Sequence, residues 1–203
     1  MSETDAKVGS LLAAGQVDAA VTLVLETWGP ELLGFLTRAL GDESQAAEVF
    51  SLVAEDVWRG LPGFGFRSSL RTWLYTVSRR ATARYLRSGR QGPLGGVPLS
   101  RAPAVQALAE QIRTQTAPYL RTEIKDKFAS VRARLDPDER MLLTLRHDKG
   151  LKWREIAEVM LDEDEPGDGA LDRMTDTVKK RYKRLLPKIK TLAREEGLLD
   201  APE

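Results

Sequence analysis

One histidine serves the whole 203-residue chain, and that limits the acid–base and nucleophilic chemistry its residues can do. His147 stands in "LRHDKG" with no companion metal ligand and no nucleophile at a recognisable spacing, so it reads as a helix-terminus residue. There is no cysteine. The glycine-containing "PGFGF" at 62–66 lacks both the lysine and the flanking strand that a phosphate-binding loop needs. Carboxylates are numerous, but none is paired in a way that would separate an acid from a base. These residues predict no catalysis, no cofactor and no metal site.

Cations offer a different chemistry. The net charge of +1 hides strong segregation: residues 1–56 carry ten acids and two bases, whereas 57–109 carry nine arginines and no acid. Residues 161–176 carry seven acids and one base, and 177–203 carry eight bases against four acids. Two basic tracts predict two polyanion contacts, since clustered cations displace counterions from a phosphate backbone. In "FGFRSSLRTWLYTVSRRATARYLRSGR", Trp73 and Tyr75 are interleaved with Arg67, Arg71, Arg79, Arg80, Arg84, Arg87 and Arg90. Rings beside guanidinium groups suit unpaired bases, which stack while the cations track the backbone. Trp73 fits a core position equally well, because Trp73, Leu74 and Val77 make an apolar stripe. In "TDTVKKRYKR", Val178, Tyr182 and Leu185 face a core, while Lys179, Lys180, Lys183 and Arg184 point outward. A solvated surface face is the plainer reading of those cations.

The elements that must position these residues read as all-α. "VDAAVTLVLETW" and "PELLGFLTRAL" predict two helices divided at Gly29-Pro30. "SQAAEVFSLVAEDVWRGL" follows, opened by Asp42 to Ser44, and the Ser68-Ser69 pair predicts the cap of "LRTWLYTVSRRATARYLR". About four helices make this first bundle. "SGRQGPLGGVPLSRAP" collects four glycines and three prolines and predicts a flexible linker. The expected division is a helical domain at 1–88, a linker at 89–117 and a second helical domain at 118–203. In the second, a helix is expected over 118–134, Asp136-Pro137 opens the next, and Lys149-Gly150 ends it. "KWREIAEVML" begins another, which with "TDTVKKRYKR" reads as a helix-turn-helix. The three-and-four spacing from Leu171 to Leu192 places the start of the last helix near Gly169, with a kink expected at Pro187. With no run of 18 apolar residues and no signal-peptide pattern, the chain reads as soluble and cytoplasmic, without membrane insertion.

"AAEVFSLVAEDVWRGLPGF" followed by "SSLRTWLYTVSRRATARYLR" resembles region two of the extracytoplasmic-function (ECF) group of bacterial sigma-70 family sigma factors. "LDPDERMLLTLRHDKGLKWREIAEVM" with "TVKKRYKRLL" resembles their region four. The resemblance covers about two thirds of the chain, in the family's order. It implies two small helical domains, a region-two four-helix bundle and a region-four helix-turn-helix, joined by a flexible linker. It implies core RNA polymerase and promoter DNA as partners, promoter recognition, minus-ten melting and initiation for a specific gene set. An anti-sigma factor is a common further partner in the family. Residue by residue, Glu48, Ser51, Leu52 and Glu55 fall on the polymerase clamp helix. The loop from Phe64 to Arg71, with Arg67 and Ser68, falls on the pocket for a flipped minus-ten base, and Arg71, Trp73, Tyr75, Arg80 and Arg84 fall on the melting and strand-holding helix; together these are the implied minus-ten contacts. Thr177, Lys179, Lys180, Arg181, Lys183 and Arg184 are the implied minus-thirty-five contacts.

The chain departs from the family pattern at five points. Glu48 and Ser51 stand where aspartate and glutamine are usual, and Arg80 and Arg84 stand where asparagine and aspartate are frequent. An added cation strengthens phosphate contact but cannot read a base edge as an amide does. The turn before the recognition helix carries about eleven extra residues. Its acidic run at 162–168 is either a solvated excursion or a competitor with DNA for the basic helix. A free-standing helix-turn-helix regulator that does not use polymerase is the alternative function.

Overall fold

The computed structural model describes residues 2–88, 103–123, 129–161 and 169–199, with side chains described in all but 117–123. Among them every regular element is a helix. The chain forms two compact units, Met1–Thr37 with Asp42–Pro118, and Arg38–Gly41 with Tyr119–Glu203.

The first unit opens with α1 (Glu3–Ala13), which the apolar periodicity does not announce. Its start is a reciprocal cap: Ser2 Oγ accepts from the Asp5 amide at 3.1 Å, and the Asp5 carboxylate accepts from the Ser2 amide. α2 then runs unbroken over Val17–Leu40 with Pro30 inside it, where the sequence predicts two helices. An internal proline costs about 3 kcal/mol. The apolar residues on both sides, Val21, Val24 and Leu25 before Pro30 and Leu32, Phe35 and Leu36 after it, are all buried. Burial of one continuous face outweighs the local signal. By length and composition α2 could cross a membrane, yet over half of its most apolar stretch is buried within the protein, as in a core helix.

α3 (Glu43–Gly60) begins as expected, with Asp42 accepting from the Gln45 amide at 2.9 Å. It ends in a 3-10 turn at Leu61–Gly63. α4 (Leu70–Arg87) is capped by Ser69, whose Oγ accepts from the Thr72 amide at 3.1 Å, so the second serine of the expected pair is the cap. α4 packs on α3 and buries four serine and threonine residues. Thr72, Thr76, Ser78 and Thr82 are buried, and the hydroxyls of the last three donate to the carbonyl four residues back at 2.8–3.1 Å. Hydroxyls satisfied within their own helix can be buried without an external partner.

The expected linker is only in part outside regular structure. Residues 89–102 lie outside the described residues, but α5 spans Pro103–Glu123, so the second half of the expected linker is helical. Val105, Ala109, Ile112 and Thr116 are buried, an i, i+4, i+7, i+11 pattern of one helical face.

In the second unit, α6 (Ala129–Ala133) falls within the helix expected over 118–134. α7 (Pro137–Leu143) carries a complete cap, Asp136 Oδ1 accepting from the Glu139 amide at 2.8 Å and the Glu139 carboxylate from the Asp136 amide at 3.0 Å. A π turn at Thr144–Asp148 prolongs it. Gly150 then reverses the chain at φ +67°. α8 (Trp153–Met160) packs against α9 (Ala170–Glu195), whose start follows Gly169 at φ +80°. The predicted break is therefore in place, and α9 continues through Pro187. Val131, Leu135, Leu185, Leu192 and Ala193 form the core that holds α6 to α9.

Candidate nucleic-acid interface

Ser51 and Leu52 on α3 are half-buried and Glu48 is exposed, so three of the four expected clamp-helix residues reach solvent. Glu48 Oε2 accepts from the Tyr85 hydroxyl of α4 at 2.9 Å, which fixes the carboxylate on the surface. Glu55 differs. It is 5% exposed and ion-paired with Arg59 one turn on, so it lies off the exposed stripe.

Between α3 and α4 the loop builds an aromatic ledge. Phe64 lies 4.8 Å from Phe66 and 5.0 Å from Trp73, centroid to centroid, with Trp73 tilted 34° against Phe64. All three rings are half-exposed. Phe66 adopts φ +53°, a left-handed conformation that costs a non-glycine residue about 1–2 kcal/mol. Trp73 lies close over Gly60, where a Cβ would stand 3.1 Å from its ring. Arg67 is exposed beside the ledge, and Ser68 is half-buried.

Tyr75 is not part of that surface. It is fully buried, packs edge-on to Phe35 at 5.0 Å, and donates its hydroxyl to Glu31 at 2.5 Å. Burial, then the bond to Glu31, pushes its pKa far above the ordinary tyrosine value. Arg71 binds the same carboxylate through Nε and Nη2, at 3.1 and 2.5 Å, and lies over the Tyr75 ring. Burial works against the Arg71 charge, yet Glu31 and Tyr75 together raise its pKa. Arg84 is exposed but paired with Asp56 of α3 at 2.6 Å. Arg80 is half-buried. Sequence spacing gave no sign of Glu31 or Asp56, because both partners are distant along the chain and acidic residues of the first block carry no periodic mark.

On α9, Val178 and Leu185 are buried, and Tyr182 packs edge-on to Trp153 of α8 at 5.3 Å. Tyr182, rather than Arg181, is the inward residue. Arg146 lies over the other partner, 4.5 Å from the Trp153 centroid. With that side anchored, Lys179, Lys180, Arg181, Lys183 and Arg184 are all exposed. Lys179 keeps a loose pair with Asp176 at 3.5 Å. Thr177 is half-buried, its hydroxyl donating to the Arg173 carbonyl at 2.9 Å. The first turn carries Asp172, which suits a helix N-terminus and also pairs with Arg154 at 2.9 Å. The acidic run at 162–168 lies outside the described residues. His147 is exposed at the end of the π turn. Among the described residues no cluster of three potential metal ligands occurs.

A helical bundle that joins an acidic helix face to a basic aromatic ledge, followed by a unit that displays a cationic helix, is a binding architecture. Residues 24–91, from within α2 to just past α4, match the family described as Sigma-70 region 2. Over 161 residues the chain is 28% identical to the RNA polymerase sigma-H factor of Pseudomonas aeruginosa, which covers 78% of this chain and 83% of that protein. Residues 24–91 are thus similar to a Sigma-70 region 2 domain, and most of the chain is similar to a sigma factor, a likeness that supports a sigma-70 family transcription protein.

Proposed function

We propose that this protein is a sigma factor of the ECF kind, acting in the cytoplasm, which binds core RNA polymerase through α3 and directs it to the promoters of a limited gene set. The observation that carries this reading is the coincidence of the Sigma-70 region 2 match with a bundle whose loop and α4 together expose three rings beside Arg67. A single-stranded base has a π face to stack on such rings, at about 1–3 kcal/mol per base, while exposed cations hold its backbone. Arg67, Ser68, Trp73 and Arg80 are the surface residues for that contact, and Arg71 and Arg84 reach phosphate by exchanging Glu31 and Asp56 for it. Tyr75 supports them from the core.

The second unit, read as a helix-turn-helix, presents α9 to the major groove of the minus-thirty-five element. Five exposed cations on one helix are compatible with phosphate contact and with bidentate reading of guanine. An anti-sigma factor that covers the α3 surface is a further partner of this reading.

Direct binding to core polymerase tests it. Glu48→Gln keeps an acceptor for Tyr85 and removes the charge, so it should weaken core binding at least about tenfold while leaving the thermal transition unchanged. Equal binding by the variant would remove α3 from the interface. Absence of core binding by the native chain at any salt concentration, with duplex binding retained, would favour the free-standing regulator.

A further inference from the structure

The edge of α3 that carries Ser51 is occupied by another part of the same unit. Ile112 of α5 is 5% exposed and sits where Gly29 of α2 leaves room. A Cβ on Gly29 would stand 2.7 Å from Ile112 Cδ1, 3.3 Å from its Cγ2 and 3.4 Å from Phe50 of α3. One residue on, Arg113 Nη1 donates to Ser51 Oγ at 3.0 Å and reaches the Ala47 carbonyl at 3.5 Å. The other guanidinium nitrogen pairs with Glu110 on α5 itself. The arginine therefore ties its own helix to the face of α3.

We infer that α5 is an intramolecular cover of the polymerase-facing surface of α3, and that binding of core polymerase displaces it. The inference rests on the reading of α3 as the polymerase contact. A helix with its side chains is about 10–12 Å across, so one seated over Ala47 and Ser51 excludes a macromolecular partner from that edge. Glu48 stays exposed and offers a first foothold. Among the described residues the seat is shallow: Val105, Ala109, Ile112 and Thr116 are buried, and Arg113 makes polar contacts to α3. Such a seat can open. Ser51 gains a role here as well, since its short hydroxyl leaves space for the guanidinium that a longer side chain would fill.

The chain has no cysteine, so an introduced pair is unique. Gly29→Cys with Ile112→Cys places two Cβ atoms within disulfide reach. In the full chain, oxidation should weaken core binding about tenfold or more, and reduction should restore it, because a competent state populated as a fraction f lowers apparent affinity by f. Ile112→Glu, which expels α5 without any cross-link, should bind core about tenfold tighter than the native chain. Failure of the disulfide to form, equal affinity of oxidised and reduced chains, or an Ile112→Glu variant no tighter than native would each overturn the cover. A Glu48→Arg variant separates the two readings. If it abolishes core binding while the disulfide has no effect, only the cover fails; if it binds core as native does, the α3 reading fails and the cover goes with it.

Discussion

Glu31 accepts from both Arg71 and Tyr75, and this one carboxylate decides the fate of two residues whose types alone suit DNA. The sequence shows an aromatic between arginines; the structure shows that Tyr75 holds α4 to α2 and that Trp73 alone of the pair reaches the surface. Tyr75→Phe should cost about 1.5–3 kcal/mol at neutral pH, the value of a hydrogen bond to a charged acceptor, without leaving Glu31 unpartnered. The pH dependence has a definite sign. Because the folded-state pKa of Tyr75 is raised, its stabilisation is complete below the ordinary tyrosine value of about 10 and declines as pH rises beyond it. Denaturant unfolding at pH 8 and pH 11 should therefore show the native chain losing its advantage over Tyr75→Phe at the higher pH. An equal difference at both would contradict the assignment.

Elements divide into those whose signal is local and those whose signal is not. The starts of α3, α4, α7 and α9 were legible because Asp42, Ser69, Asp136 and Gly169 act within a turn of their own position. The inward side of α9 was legible for the same reason, since Val178 and Leu185 keep helical spacing. Gly29-Pro30 is a strong local breaker that predicts two helices, whereas the core that keeps α2 whole is assembled from several helices. Glycine and proline at 89–103 predict a linker longer than the structure has, because the buried stripe of Val105, Ala109 and Ile112 just beyond is helical. That stripe was present in the sequence; its partner, Gly29, was not identifiable. For the cations of α9, each phosphate neutralised contributes about 0.9 to the slope of log affinity against log salt. Lys180→Ala and Lys183→Ala, measured on a promoter duplex by salt titration, should each flatten that slope by about 0.9 if they meet phosphate. An unchanged slope would return those lysines to the solvated face.

At the scale of the whole molecule, the acid-rich and arginine-rich blocks share one folded unit, and the basic C-terminal tract lies in the other. The acid-rich opening block supplies α3 and the carboxylates that hold Arg71 and Arg84, and the arginine-rich block supplies α4, so much of the first tract's charge is balanced within its own unit. Lys179, Lys180, Arg181, Lys183 and Arg184, all exposed on α9, carry the second tract outward. A near-neutral chain can thus offer an acidic face to one partner and cationic faces to another, which is what joining a polymerase to a promoter demands. The most direct measurement is run-off transcription with purified core polymerase, the full chain and a library of promoter fragments. The account predicts discrete transcripts that require the chain and are lost with Glu48→Gln, from a small set of fragments. Transcription no different from core polymerase alone, with a chain that is folded and binds duplex DNA, would contradict it.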